Sequence, residues 1–342
     1  MQTDTATDIA AQRLDACYAG ANPDWRQFYT PRQEMRNFAT RYHLVYPALS
    51  YFVGLKQDPD LTDNYRPKLD TIYKGLLDQR VWNYWHSELN EPSPPLKERN
   101  LTYAGRLATF VGFYIDAFGE PPAEKIEVDG HVTDYRELSA NLHHQMTSEP
   151  SRGVTCYHHQ SMVMCNAHML INNVLHDRLY GTKFSRANEA WLATTQTSLL
   201  RDEDTGPLFY YGTKARSALP EETTKSVGAD IWALFLMSGV VPERVSAWFE
   251  TWQRNISYED HRARVLIGEK QEKFEISSTS LATGWAYCLS RELGQQVRAE
   301  LLRNALAKQA EEGFELDPLL SGLFLLGDRL QPGSFHKLVT GG

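Results

Sequence analysis

Two cysteines and three histidines fall within thirteen consecutive residues, and each of these side chains can exchange protons. The cysteines are Cys156 and Cys165, and the histidines are His158, His159 and His168. A thiol transfers protons near neutral pH when its neighbours lower its pKa, and imidazole does so at its ordinary pKa. This segment leads from a loop into an apolar helix. We therefore predict an acid–base site where that helix begins.

The same residues allow three interpretations. In the first, Cys165 and His168 are core residues, because free cysteine is among the most buried residue types. In the second, Cys156 and His158 supply two zinc ligands. Cys165 and His168 would supply the other two, although no carboxylate lies nearby in the sequence to orient the histidines. In the third, the two thiols transfer protons directly. We adopt the third interpretation and do not expect a metal at these residues.

Arg106 lies among apolar residues in the segment 100–118, where Tyr103 and other aromatic residues follow helical spacing. Such an arginine either packs its stem and reaches water, or it faces a cavity and binds a carboxylate, a carbonyl or a developing oxyanion. Tyr42 stands on an otherwise apolar helix and is a candidate hydroxyl donor, although a core tyrosine fits equally well. Trp232 has two interpretations as well, core or pocket.

Composition and charge exclude several classes of protein. The 35 lysines and arginines against 43 aspartates and glutamates give a net charge of −8 without a basic run, which argues against nucleic acid as a partner. The best apolar run, 231–241, is too short to span a membrane, and the polar N-terminus shows no signal peptide. Four cysteines in 342 residues are too few for a disulfide scaffold, so we expect a reduced, cytoplasmic protein.

Apolar residues recur at three- and four-residue spacing along almost the whole chain, which predicts an all-α fold. About a dozen helices with short connections favour helical hairpins stacked around a ring, an (α/α)6 toroid, with a two-layer bundle as the alternative. The inner helices of a toroid are apolar nearly all round, and loops at one end line a cavity. We predict one domain over residues 1–342, with 1–32 as an extension. The predicted helices cover 5–19, 33–55, 64–87, 100–118, 132–147, 160–180, 185–202, 223–239, 243–256, 275–292, 295–311 and 316–329.

A set of motifs in fixed order resembles the bacterial linalool dehydratase/isomerase family. The pattern G-[IV]-x-C-x8-C-N is present as Gly153–Cys156 followed by Cys165–Asn166, and the next helix ends in D-R-L-x-G-T at Asp177–Thr182. The supporting motifs, within a resemblance that covers residues 35–250, are Arg80–Trp85, Asn100–Gly105 and Ser226–Trp232.

The resemblance implies an (α/α)6 barrel without cofactor or metal, assembled as a homo-oligomer. The type member of the family interconverts a tertiary allylic alcohol with its primary isomer and with the dehydrated diene. By position, Cys156 and Cys165 match the two catalytic cysteines of the family. Tyr42 and Trp232 match a pocket tyrosine and a pocket tryptophan, and Met162 stands where the family has a pocket aromatic residue.

The chain also departs from the family pattern. The active-site histidine of the family, directly after the glycine of N-x2-Y-x-G, is Arg106 here. Arginine does not give up its proton, so Arg106 cannot act as a base but can anchor an anionic or carbonyl-bearing substrate. Asp15 is the counterpart chosen for the N-terminal aspartate of the family, and Asp24 is its rival. The export signal of the family is missing.

We therefore expect a cofactor-independent lyase or isomerase that acts on a hydrophobic isoprenoid or polyene substrate. Dehydration, double-bond isomerisation or cyclisation would pass through allylic-cation character in a water-poor cavity with aromatic walls. The predicted catalytic residues are Cys156, Cys165, Arg106, Tyr42 and Asp15. The predicted substrate contacts are Met162, Trp232, Tyr103, Tyr157 and His159.

Three alternatives stay open. The first is a cyclase that folds a polyene while Arg106 polarises a carbonyl group and the cysteines only pack. The second is a non-catalytic toroid that binds a hydrophobic ligand or a protein partner. The third is a carbohydrate-active toroid, which needs two carboxylates facing each other, and the candidates for it are Asp116, Asp230 and Glu34.

Overall fold

The computed structural model describes residues 5–18, 36–97, 99–156, 160–201, 206–210, 212–214, 217–221, 225–267, 278–311 and 318–342. Most of these residues are helical. The α-helices are α1 (Thr5–Tyr18), α2 (Arg36–Gln57), α3 (Thr62–Leu77), α4 (Gln79–Trp82), α5 (Tyr84–Ser87), α6 (Leu101–Phe118), α7 (Tyr135–Ser148), α8 (Val163–Tyr180), α9 (Asn188–Thr194), α10 (Val227–Ser238), α11 (Pro242–Trp252), α12 (Thr279–Glu292), α13 (Gln296–Glu311), α14 (Pro318–Arg329) and α15 (Ser334–Thr340).

Two short antiparallel hairpins accompany the helices. Strands β1 (Ile126–Val128) and β2 (His131–Thr133) pair with each other, and so do β3 (Ile256–Glu259) and β4 (Arg262–Val265). None of the described helices has the length and apolar character that crossing a bilayer requires.

Six helices contact one another in cyclic order. Helix α2 packs on α6, α6 on α8, α8 on α10, α10 on α12, α12 on α14, and α14 on α2 again. Helices α3, α7, α11 and α13 each pack against one or two members of this cycle. The chain therefore alternates between a helix of the cycle and a helix packed on it.

Burial separates the two groups of helices. In α6 every residue from Leu101 to Ile115 is buried, and in α10 every residue from Val227 to Ser238 is buried. Helix α11 instead buries only one face, through Val245, Trp248, Phe249 and Trp252. A helix buried all round packs on neighbours on all sides, whereas a one-sided stripe covers a surface. This matches the expectation that inner helices are apolar nearly all round.

Helices α2 and α14 approach each other closely at Pro47. A Cβ atom on Gly322 would lie 2.7 Å from the Pro47 Cα atom, so only glycine fits this crossing. Proline has no N–H and cannot bond the carbonyl of residue i−4, which is His43. The Tyr18 hydroxyl of α1 donates to that carbonyl instead. A proline inside α2 thus places both α1 and α14.

The D-R-L-x-G-T motif is structural. The Asp177 carboxylate accepts the Thr182 hydroxyl at 2.6 Å and the Phe184 N–H at 2.6 Å, which fixes the turn after α8. Arg178 donates to the carbonyl oxygens of Leu338 and Val339 at 2.8 and 2.6 Å. The end of α8 is thereby tied to the end of α15.

Several predicted elements differ from the structure. The helix predicted over 64–87 is interrupted, because Asp78 is extended and its carboxylate caps the N–H of Arg80. The helix predicted over 185–202 ends as a π-helical turn, Thr195–Leu199. The prediction missed both hairpins and α15. In the first hairpin, Asp129 and Gly130 adopt left-handed φ angles of 53° and 70°, and a D-G pair is a known hairpin turn signal.

Candidate active site

The two thiols of the C-x8-C motif meet inside the protein. Cys165 is the third residue of α8, and Cys156 lies in the loop that precedes this helix. Cys165 is 2% exposed and Cys156 is fully buried. The Cys156 thiol hydrogen-bonds to Cys165, and both are free cysteines. The sequence spacing therefore brings two acid–base groups into direct contact.

Asn166 holds the loop in this position. Its side-chain carbonyl accepts the Val154 N–H at 2.7 Å, and its amide donates to the carbonyl oxygens of Val154 and Met162 at 3.1 and 3.0 Å. A Cβ atom on Gly153 would lie 2.4 Å from the Trp191 ring, so the loop passes this ring only with glycine there. The glycine and the asparagine of the motif thus bring the loop thiol to the helix.

The pKa values of the two thiols move in opposite directions. Burial would raise the pKa of Cys165, but the hydrogen bond from Cys156, the charge on Arg106 and the Thr102 hydroxyl lower it to about 6. Burial and the hydrogen bond given to Cys165 raise the pKa of Cys156 well above its ordinary value. The first turn of a helix also favours a negative charge. Within the pair these shifts favour the negative charge on Cys165 and the proton on Cys156.

Arg106 supplies the positive charge opposite this thiolate. It is fully buried on α6. Its Nη1 atom donates to the Thr102 carbonyl at 2.6 Å and lies 3.9 Å from the Cys165 Sγ atom. Its Nε atom lies 3.3 Å from the Tyr46 hydroxyl. Burial would lower the pKa of Arg106, but Tyr46, Tyr42 and Cys165 raise it above its ordinary value, so the guanidinium stays charged.

A chain of hydrogen bonds continues behind Arg106. The Tyr46 hydroxyl lies 3.0 Å from the His168 Nε2 atom, and His168 Nδ1 lies 3.4 Å from the Thr109 hydroxyl. Because Tyr46 accepts from Arg106, its own proton goes to His168 Nε2, and the imidazole carries its proton on Nδ1. Burial and the Arg106 charge hold the pKa of His168 well below its ordinary value. Neutral His168 therefore fixes Tyr46, and Tyr46 fixes the guanidinium.

Aromatic rings surround the guanidinium. Its central carbon lies 4.7 Å from the centroid of the Tyr42 ring and 5.1 Å from that of Trp232. Trp285 stacks near Trp232 with centroids 6.1 Å apart, and Tyr46 meets Trp285 edge to face at 4.9 Å. The Tyr42 hydroxyl accepts a hydrogen bond from Arg41 at 3.1 Å. Four aromatic side chains thus form the wall beside the charged pair.

The structure gathers only some of the predicted site residues. Five of them are in mutual contact or one side chain apart: Cys156, Cys165, Arg106, Tyr42 and Trp232. Buried Met162 precedes α8. Tyr103 points away, because its hydroxyl donates to the Leu76 carbonyl at 2.8 Å. Asp15 does not join the cluster. Its carboxylate is 55% exposed on α1 and pairs with Lys68 at 2.5 Å. Tyr157 and His159 lie outside the described residues.

The structure also places the residues on which the zinc-site and two-carboxylate interpretations depend. His158 lies outside the described residues, and His168 uses both ring nitrogens in hydrogen bonds. Within the described part of the chain, no three histidine, cysteine, aspartate or glutamate side chains group as a metal site. Asp116 pairs with Arg178, and buried Asp230 accepts the Leu208 N–H at 2.5 Å. Glu34 lies outside the described residues.

Sequence reasoning missed two residues that contact Arg106. Thr102 lies one helical turn before Arg106. Its Oγ1 atom shares a hydrogen bond with the Cys165 Sγ atom at 3.1 Å, in which either atom can be the donor. Tyr46 lies one turn after Tyr42 on α2. Spacing of four residues places side chains on one face of a helix, so this signal was present in the sequence. His168 was considered only as a zinc ligand or a core residue.

Comparison with solved structures shows the fold at low sequence identity. The Lin0763 protein of Listeria innocua has a TM-score of 0.55 and 14% identity, and the match covers 96% of each chain. An unsaturated glucuronyl hydrolase from Bacillus sp. GL1, which degrades glycosaminoglycan, has a TM-score of 0.56 and 11% identity over 98% of each chain. Identities this low carry the fold and not the activity. The sequence model of linalool dehydratase/isomerase matches residues 41–317. This match spans most of the chain and confirms the resemblance of the motifs, so the chain belongs to the linalool dehydratase/isomerase family.

Proposed function

We propose that the chain is a dehydratase or isomerase in which Cys165 is the base and Cys156 is the acid. One observation carries this proposal: two buried thiols share a hydrogen bond, and their pKa values move apart beside a buried guanidinium. A pair of groups with separated pKa values can remove a proton at one atom and deliver one at another. Dehydration and double-bond isomerisation both need this pair of transfers. Membership of the family supports the reaction class.

The surroundings of the thiols favour a hydrophobic substrate, of the isoprenoid or polyene class. Tyr42, Trp232 and Trp285 form aromatic walls, and Met162 and Met164 are buried next to the cysteines. Such walls exclude water, and exclusion of water protects a reactive intermediate from hydrolysis. The chain's own groups supply the acid, the base and a fixed charge. We therefore propose that the reaction needs no cofactor.

The cyclic helix contacts support an (α/α)6 toroid as the architecture. In that arrangement α2, α6, α8, α10, α12 and α14 are the inner helices, and the site lies where α6 and α8 begin. Residues 1–342 then form one domain. Assembly as a homo-oligomer and a cytoplasmic location remain proposals. Chromatography with light scattering tests the oligomer.

The decisive experiment incubates the protein with a panel of terpenoid alcohols and polyenes in D2O and detects products by mass spectrometry. Proton transfer by the thiols predicts that isomerised products carry solvent deuterium at carbon, whereas in a dehydration the deuteron from Cys156 leaves with the water. Cys165→Ala and Cys156→Ala should each lose a factor of about 10²–10⁴ in rate. Cys288→Ala is the matched control, because this buried thiol donates to the Leu323 carbonyl on another helix pair. Full activity in both active-site variants would remove the proposal.

A further inference from the structure

The Arg106 guanidinium has a donor for which none of the described residues provides an acceptor. Its Nη1 and Nε atoms have acceptors in Thr102 and Tyr46, but its Nη2 atom is buried and has none. Hydrogen bonds satisfy the large majority of buried polar atoms in folded proteins, and an unused donor on a charged group is costly. An oxygen atom of a bound molecule would satisfy this N–H, on the guanidinium that faces the Cys165 thiol.

Two neutral buried donors, one of them on a ring that packs against Arg106, also lack an acceptor within the described part of the chain. The indole Nε1 atom of Trp232 is buried without an acceptor, and the Trp232 ring packs against the guanidinium. The Asn100 Nδ2 atom, at the start of α6, is also buried without an acceptor, while its Oδ1 atom accepts from Tyr84. All three unused atoms are donors only. The missing group is therefore an acceptor, which fits a carbonyl oxygen.

The charge balance of the proton transfer selects a neutral carbonyl over a carboxylate, because loss of the proton next to a carboxylate would leave two negative charges on the substrate. Arg41 is a second buried guanidinium on the Tyr42 ring, and the Arg106 guanidinium faces the Cys165 thiolate before the substrate binds. A carboxylate would add a second negative charge to this buried pair, whereas a ketone or ester adds none. Once Cys165 takes up a proton, the guanidinium loses its partner. A negative charge on the substrate oxygen then replaces the thiolate charge.

The same balance disfavours a cationic intermediate. Protonation of the substrate by Cys156 would leave two thiolates in contact, because Cys165 is already ionised. It would also place a substrate cation beside the permanent charge of Arg106. Both arrangements bring like charges together in a buried site, where solvent screens them little.

We propose, on the basis of the cysteine acid–base function above, that the substrate carries a carbonyl group bound at Arg106 and that the reaction passes through an enolate. The allylic cation expected from the sequence is replaced by an allylic anion conjugated to that carbonyl. Arg106 is then an oxyanion donor, and Trp232 is a second donor to the same region.

The proton and electron balance closes over one turnover. The Cys165 thiolate takes a proton from the carbon next to the carbonyl, and the electron pair of that C–H bond moves into the enolate. The Cys156 thiol protonates a leaving hydroxyl group, which departs as water while the enolate electrons form the new double bond. In an isomerisation, Cys156 instead protonates the far carbon of the allylic anion. The proton on Cys165 then passes to the Cys156 thiolate through their hydrogen bond.

The test measures exchange of the protons next to the carbonyl for deuterium. The probes are methylheptenone, geranylacetone and farnesylacetone, which place the same methyl ketone on prenyl chains of increasing length. In D2O, the wild-type protein should speed this exchange for at least one ketone. Cys165→Ala should reduce the exchange to the rate without protein, and Arg106→Met should lower it by about 10²-fold. Arg106→Lys keeps the charge and should retain more exchange than Arg106→Met.

Circular dichroism and thermal unfolding check that the Arg106 variants fold, and Cys288→Ala serves again as the unaffected control. Exchange in wild type no faster than in Cys165→Ala, for all three ketones, overturns the inference. Equal exchange in wild type and folded Arg106→Met overturns it too. So does calorimetric binding of geranic acid that is tighter than binding of geranylacetone.

The two proposals can fail separately. If both cysteine variants turn over the terpenoid panel normally but Arg106→Met weakens ketone binding, the carbonyl site stands and the thiol acid–base function falls. If the cysteine variants lose activity on alcohols while Arg106→Met keeps it and no ketone exchanges, the acid–base function stands and the enolate route falls.

Discussion

The strongest quantitative prediction concerns the charge that keeps Cys165 ionised. The Arg106 Nη1 atom lies 3.9 Å from the Cys165 Sγ atom, and both side chains are buried. At this distance and an effective dielectric constant of about 20, two unit charges attract by about 4 kcal/mol, which corresponds to about 3 pKa units. Arg106→Met removes this attraction. It should therefore move the pKa of Cys165 from about 6 to about 9.

The ultraviolet absorbance of the thiolate measures this shift directly. We would titrate wild type and Arg106→Met between about pH 4 and about pH 10 and subtract the signal of Cys165→Ala. The Cys288→Ala variant should titrate like wild type, because burial raises the pKa of Cys288 well above its ordinary value. Arg106→Lys keeps a positive charge and should fall between wild type and Arg106→Met.

A midpoint in folded Arg106→Met within about one unit of the wild-type midpoint would refute the reasoning, because the charge would then contribute little. A wild-type midpoint near the ordinary thiol value would refute it as well. The first result would mean that Arg106 is not what keeps Cys165 ionised. The second would mean that Cys165 is not a thiolate at neutral pH, and the assignment of base and acid between the two cysteines would have to change.

Three further predictions follow from the same structure. Below a pH of about 6 the value of kcat/KM should fall about tenfold per pH unit, because the lowered pKa of Cys165 means that its basic form is lost only as the pH falls through this range. A value of kcat/KM that stays constant below this pH would contradict the prediction. In Gly322→Ala the new Cβ atom would meet the Pro47 backbone, so the free energy of unfolding in denaturant titrations should fall by about 1–3 kcal/mol. The control is Gly284→Ala, whose Cβ atom meets only movable leucine side chains, and it should cost less. Tyr18→Phe should cost about 1 kcal/mol in the same assay, because it removes the donor to the carbonyl that the α2 proline leaves free, and an unchanged midpoint would contradict it.

The helical part of the fold was predictable because burial imposes a periodic pattern. Helix α6 was predicted over 100–118 and found at Leu101–Phe118. The pattern was less informative where a side chain ends a helix locally, as Asp78 does by capping the next turn. The hairpin at β1 and β2 was missed although its D-G turn is visible, because a three-residue strand is too short to display alternation.

The site was predictable only as a list of candidates. Periodicity and motif spacing placed Cys156 and Cys165 near the start of α8. These patterns cannot predict whether a side chain in a loop contacts a side chain on the helix that follows. That contact depends on Asn166 folding the loop back, a set of hydrogen bonds without a sequence period. Asp15 was chosen by distance along the chain alone, and its exposed pairing with Lys68 reflects how weak that criterion is.

An arginine at position 106, where the family resemblance implies a histidine, changes more than one side chain. A buried histidine can lose its charge, as His168 does here, and then needs no counterion. A buried arginine cannot, and among the described residues the hydrogen bonds of Arg106 go to a carbonyl oxygen, a hydroxyl oxygen and the Cys165 sulfur rather than to a carboxylate. We therefore infer that Cys165 carries the compensating charge, which would make it a base before any substrate arrives. A site that already holds a thiolate next to a permanent cation is prepared to accept a proton and to stabilise an anion, and this is why Arg106 determines both the protonation state of the cysteines and the sign of the intermediate.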